Sequence, residues 1–454
     1  MIKHKSIKFN LDIVCKALYK NLINHKLIVL FLFLILTPLV IFLLSVYGLK
    51  INALSFTSIL TIIIYLIYLN IYFASKNYKI AIILVFILSF VLKMFLAFNL
   101  FGTYDMKSFY IVSKLMDKGI TTNIYAETDR YNYSPIWAIT IYLITQLSKI
   151  SNISLSALLK FPIIIFDALT ALLIYKICKE SSNSDKKAFL LVASFLYNPL
   201  TIMVSSHGSQ FDAIAIYFLL LYYYISKKSM RAMHYLIYGI SIAVKQVTVF
   251  PLLFFLQRLK GYKKLLFLFL VPLPFFLLLS PYLFSAWRSL LRNVLTYSGT
   301  GALWGYSRIV QYILTFFGLN NLQLIFKFYI AKIIVIFIFG LIFYYFHKYK
   351  NVSLLQGIIV SYLIFFALTP GFGVQYLVWI LPFAILEKNY FYYIYSFLGS
   401  LMAFLFYYGH GTGNLFIREV LAFSVVGPLL WIFCIYWLFR RHLEIKTRHS
   451  IGNN

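Results

Sequence analysis

Long apolar runs divided by short polar clusters recur along the whole chain, and they limit what it can fold into. A helix needs about 20 apolar residues to cross the hydrocarbon of a bilayer. Runs near that length occupy residues 27–47, 51–74, 79–98, 158–178, 187–204, 265–282, 324–346, 352–369, 390–408 and 417–439, with shorter ones at 210–225, 232–248, 376–386 and a stretch ending at Arg258. Inside lipid each backbone N–H and C=O must be satisfied within its own segment, so such runs read as helices. A soluble core is excluded: charged residues make up 12% of the chain against about a quarter in soluble domains.

The net charge of +29 argues for topology and not for nucleic acid, because Lys and Arg lie in small clusters between apolar runs and gather on no single face. Cys15, Cys178 and Cys434 are too few and too scattered for a disulfide framework or a zinc site. The Lys-rich first 26 residues do not read as a cleavable signal and are expected in the cytoplasm. Three crossings then carry residue 99 to the outside. Residues 136–147 are expected to lie on the outer surface. If they crossed, Lys227, Lys228, Arg231, Arg258, Lys260, Lys263 and Lys264 would all face outward, against the positive-inside rule. The expectation is an all-α polytopic bundle of about 12–14 transmembrane helices, both ends cytoplasmic, with interfacial helices in a large first outer loop. A second outer loop covers 283–323, of which 309–317 lies flat or re-enters.

Acidic residues number 12 in the chain, and four of them, Asp105, Asp117, Glu127 and Asp129, fall within 99–134. A carboxylate at a bilayer edge is costly enough to suggest function. Met106, Phe109, Val112 and Met116 recur at helical spacing beside Lys107, Ser113 and Lys114, which predicts an amphipathic helix ended by Gly119. Under this topology the other polar residues of the apolar runs collect at the same face. They are Lys160 and Asp167, then His207, Gln210 and Asp212, then Lys245 and Gln246, Arg308 and finally Gln375. Several have plainer readings: Lys160 could snorkel, Asp167 could pair with a base in the bundle, His207 could be a turn residue and Asp105 a helix cap. Asp117 and Glu127 read as solvated loop charges. Lys245, among Ala243, Val244, Val247 and Val249, is harder to set aside.

Taken in order, these elements resemble the membrane glycosyltransferases of the GT-C class, especially the dolichyl-phosphate-glucose glucosyltransferases and prokaryotic relatives that use polyprenyl-phosphate sugars. The resemblance rests on Tyr104-Asp105, Tyr133-Ser134-Pro135, Lys160 seven positions before Asp167, and Leu196-Tyr197-Asn198-Pro199 leading to His207-Gly208-Ser209-Gln210-Phe211-Asp212. It continues through Lys245-Gln246 ahead of Pro251 and through residues 369–376 with Trp379 and Pro382. The chain departs from the family pattern at Lys160, often Arg, and at Asp212, usually Asn.

The resemblance implies three regions: 1–98 with the first three spans, 99–282 as the GT-C module with its catalytic loop 99–157, and 283–454. It implies an inverting transfer of a sugar from a polyprenyl-phosphate donor to a hydroxyl of a lipid-linked, glycan or protein acceptor, outside the cytoplasm. Asp105 would be the base, with Asp129, Tyr131 and Tyr133 as a second candidate base or acceptor contacts. Lys160, His207, Lys245, Gln246 and Arg308 would bind the donor phosphate, and Asp167, Gln210, Asp212 and Gln375 would support the site. Neither metal nor cofactor is expected. A flippase or a polysaccharide polymerase or ligase is the rival class. A flippase would carry its charges through the midplane and not along one face.

Overall fold

The computed structural model describes residues 77–451, apart from 121, 229–231, 296–300, 302, 320–321, 323–329 and 388, together with Ala74. The expected spans at 27–47 and, but for Ala74, at 51–74 lie outside the described residues. The helices that frame the site are α1 (Tyr78–Asn99), α2 (Tyr104–Met116), α3 (Pro135–Ser151), α4 (Leu155–Ser182), α5 (Asp185–Leu196), α6 (Asp212–Ser226), α7 (Ala232–Val244), α8 (Gly305–Phe316), α9 (Leu354–Leu368), α10 (Phe391–Thr412) and α11 (Gly427–Ile451). No β-strand occurs among the described residues, where Gly301 and Gly371 form an isolated bridge.

Among the described residues, five helical segments are long and apolar enough to cross a membrane: Tyr78–Asn99, Leu155–Ser182, Tyr262–Leu283, Phe391–Thr412 and Phe416–Arg448. The bent pair Asp185–Leu196 and Pro199–His207 makes a sixth if counted as one span. The chain is an all-α integral membrane protein. Several expected crossings are shorter or broken, each for a local reason. The run at 187–204 bends by 45° at Asn198-Pro199, where proline supplies no backbone donor. The run at 232–248 stops at Val244, because Lys245 is extended with φ −155°. Residues 376–386 are no single helix either: a 3₁₀ turn, Val374–Val378, gives way to the six-residue helix Leu381–Leu386 with Pro382 near its start.

Local chemistry sets the helix ends. Asn77 accepts from the backbone of Lys79 and Ile80 to start α1, and Ser353 with Gln356 forms a capping box on α9. Pro135 opens α3, which ends in left-handed Asn152. On α2 the buried residues are Met106, Phe109, Val112 and Met116, as their spacing predicts. Ser113 departs from expectation. Four residues after Phe109 it shares the packed face, and its hydroxyl meets that of Thr145 on α3 at 2.8 Å.

Two apolar clusters result. One runs through α1, α4, α5, α6 and α9–α11. The other joins α2 and α3 to the ends of α4, α6 and α7 through Phe109, Trp137, Ile141, Leu159, Phe211 and Val244. Burying a side chain of this size contributes about 1.5–3 kcal/mol relative to exposure in water, enough for several to fix the loop helices in place. A buried ion pair between Lys93 and Asp167, at 2.6 Å, ties α1 to α4.

Candidate active site

The site grows from the turn between the bent pair and α6. Residues Met203–His207 wind as a π-turn, after which Ser209 takes a left-handed φ of +60°. The turn turns its polar groups toward the start of α2. Thr103 Oγ1 donates to Gly208 O at 3.4 Å, and Gln210 Nε2 donates both to the carboxylate of Asp105 and, at 3.3 Å, to Gly208 O. Gly102 permits this approach. Its φ is +116°, and a Cβ there would stand 2.9 Å from Ser209 Oγ. Asp105 lies in the first turn of α2, partly exposed, where a negative group also favours the helix dipole. The amide orientation of Gln210 follows from its partner, since a carboxylate accepts and cannot donate. Gln210 Oε1 is left buried with no partner among the described residues, as is the hydroxyl of fully buried Ser206.

A second charged centre stands at the start of α6. Asp212, fully buried, accepts from Lys245 Nζ at 2.5 Å and from Trp379 Nε1 at 2.6 Å. The extended backbone at Lys245 that ends α7 delivers its ammonium there. The ammonium lies 4.8 Å from the ring centre of Phe211 and 5.2 Å from that of Tyr133, within cation–π range of both. Trp137 stacks on the Phe211 ring at 4.3 Å. Gln246, the next residue, has a buried Nε2 with no partner among the described residues.

The loop between α2 and α3 forms an aromatic wall. Tyr125 donates to Tyr133 O at 2.7 Å; Tyr131 donates to Ser134 O at 2.6 Å and accepts from Ala138 N at 2.8 Å. Burial pushes the hydroxyls of Tyr125 and Tyr131 well above the usual phenol range, so both stay protonated and act as neutral hydrogen-bonding groups. Tyr131 thus braces the start of α3. Asp129 is exposed and bonds Arg292 and Asn293.

The remaining sequence candidates are distributed differently. Lys160 is fully buried, and its ammonium donates to the carbonyls of Ala97 and Leu100, closing the C-terminal end of α1 just before Gly102. Asp167 pairs with Lys93, the plainer of its two readings. Arg308, on α8, bonds Glu419 at 3.1 Å. Gln375 folds its amide over Gly373, in the turn that leads to Trp379. Asp117 pairs with Lys149 and Glu127 with Lys118, all four at least partly exposed, as expected of solvated loop charges.

Lys93, Tyr407, His410 and Arg418 were not singled out from the sequence, yet they adjoin these groups. Lys93, a lone cation within 80–98, and His410, in the run Tyr408-Gly409-His410-Gly411, were the available signals. Among the described residues no group of three or more His, Cys, Asp and Glu could hold a metal ion. Comparison with models of known protein families finds no match, and comparison with curated proteins finds none either.

Proposed function

We propose that the chain is an inverting glycosyltransferase of the GT-C class, moving a sugar from a polyprenyl-phosphate donor to an acceptor hydroxyl on the extracytoplasmic side of the membrane. The observation that carries this reading is the contrast between Asp105 and its neighbours. Asp167 and Asp212 are buried against lysines, whereas Asp105 is partly exposed, forms no ion pair among the described residues and is held by the Gln210 amide. A carboxylate held in place and reachable is what a general base requires.

In the proposed step the acceptor oxygen attacks the anomeric carbon and its proton passes to Asp105. The bond from that carbon to the phosphate oxygen breaks, and the lipid phosphate leaves with the electron pair. One carboxylate suffices, since no glycosyl-enzyme forms. Tyr133, partly exposed and edge-on to the buried Phe211 ring, offers an aromatic contact near Lys245 for a sugar ring. Membranes containing the chain, given radiolabelled polyprenyl-phosphate hexoses, are expected to pass label to an acceptor. Release of no label from any donor in the wild type would count against the reading.

A further inference from the structure

A second cleft lies at the other end of α9. That helix ends at the turn leading to Trp379 and Asp212, and its start, where the cleft opens, is roughly 22 Å away along the helix axis. The cleft measures about 250 Å³ with its open mouth included, and Tyr349, Asn351, Gln356, Ile445 and Arg448 line it. They come from the turn after the helix Ala331–Lys348, the start of α9 and the last turns of α11. Its walls are fastened together. Arg441, 4% exposed, bonds Glu387 at 2.6 Å and Glu444 at 2.7 Å, and the His442 ring packs against Tyr345 at 5.9 Å and edge-on to Tyr349 at 5.4 Å. Charge around the cleft is lopsided. Arg441 engages both of those carboxylates, whereas Arg448 is exposed and forms neither an ion pair nor a hydrogen bond among the described residues. Lys348, Lys350 and Lys446, each next in the chain to a lining residue, are exposed as well.

We infer that this cleft holds the phosphate headgroup of an anionic phospholipid from the adjoining leaflet. The inference does not depend on the glycosyl-transfer reading. An excess of Lys and Arg is common at cytoplasmic ends, but that rule calls for no cleft and no particular residue. Here the Arg448 guanidinium presents paired N–H donors to phosphate oxygens, and the Asn351 amide adds another. Depth points to a lipid as the source. The apolar run of the helix Ala331–Lys348 ends at Phe346 and that of α9 begins at Leu354, so the turn between them, which carries Tyr349 and Asn351, lies at headgroup level. The three exposed lysines repel the cation of a zwitterionic headgroup and attract a net negative one.

The test uses the full chain in phosphatidylcholine nanodiscs with a rising fraction of phosphatidylglycerol. Thermal unfolding is followed for wild type, Arg448→Gln, Arg448→Lys and Lys263→Gln, the last removing an exposed cation of another helix. Phosphatidylglycerol should raise the wild-type midpoint. Arg448→Gln should need about tenfold more of it for the same rise, the scale of one lost charge-assisted hydrogen bond. Arg448→Lys keeps the charge without the paired donors and should fall between, which covers a Gln variant that fails to fold. Lys263→Gln should respond as wild type. Equal losses in Lys263→Gln and Arg448→Gln would mean diffuse attraction to a charged surface and would overturn the site, as would a wild type indifferent to phosphatidylglycerol. Soluble glycerol 3-phosphate, added to discs of phosphatidylcholine alone, should not stabilise the chain. If it does, with the same dependence on Arg448, the cleft takes a soluble phosphate ester and the lipid assignment is overturned.

Discussion

Gln210 donates its side-chain amide to the carboxylate of Asp105 across 105 residues of sequence. The contact joins the first turn of α2 to the turn before α6, and it fixes which way the carboxylate faces. An amide donor to a charged acceptor contributes about 1.5–3 kcal/mol where both are sheltered.

This pair sets the first prediction. Asp105→Asn keeps the size of the side chain and removes its basicity, so transfer should fall by about 10²–10⁴, the usual contribution of a general base, with the unfolding temperature nearly unchanged. Gln210→Leu should lower turnover less and leave donor binding intact. Initial rates at saturating donor and acceptor read both. Wild-type turnover in Asp105→Asn would remove the carboxylate from the mechanism.

The Lys93–Asp167 pair calls for a stability experiment. Breaking a buried pair from one side strands a charge and costs about 3–5 kcal/mol, whereas replacing both partners with apolar residues is often neutral. Lys93→Met and Asp167→Leu should each lower the thermal midpoint, and the double variant should recover most of the loss. Additive losses would mean that the two side chains act independently.

Asp212 has two donors, which makes a graded series possible. Trp379→Phe removes one donor and should destabilise by about 1.5–3 kcal/mol. Lys245→Met leaves a buried carboxylate without its cation and should cost more. Lys245→Met combined with Asp212→Asn should fold again. If Lys245→Met alone is as stable as wild type and only donor binding is lost, Lys245 serves the ligand and not the fold.

One hydrogen bond places two loops at the same end of the molecule. Asn123 Nδ2 donates to Ser285 Oγ at 2.8 Å, so the first acidic loop and the segment after Tyr262–Leu283 share an end of the molecule. Exposed Tyr262 lies at the opposite end of that span. Cysteines at Glu127 and Ser285, in a chain otherwise free of cysteine, should react with an impermeant thiol reagent from outside intact cells, and one at Tyr262 should not. Labelling of Tyr262 together with Ser285 would break the topology and the proposed placement of the site.

The sequence alone determined that this is a helical membrane protein, because apolar length and the need to satisfy backbone groups in lipid admit little else. It also determined the buried face of α2 and the small set of polar residues that had to be explained, since helical period encodes which side of a segment is covered. What covers it was decided only by the tertiary structure. Lys160 and Asp167 share a helix seven residues apart, yet Asp167 turned to Lys93 and Lys160 to the end of α1, because a buried charge takes the counter-group that helix packing brings within reach. Helix breaks at Pro199 and Lys245 likewise set where the bent pair ends and where the Lys245 ammonium lies, and no periodicity records the angle of a break. The packing of Tyr407 against Gly208 and His207 joins segments far apart in the chain, which spacing along the sequence cannot express.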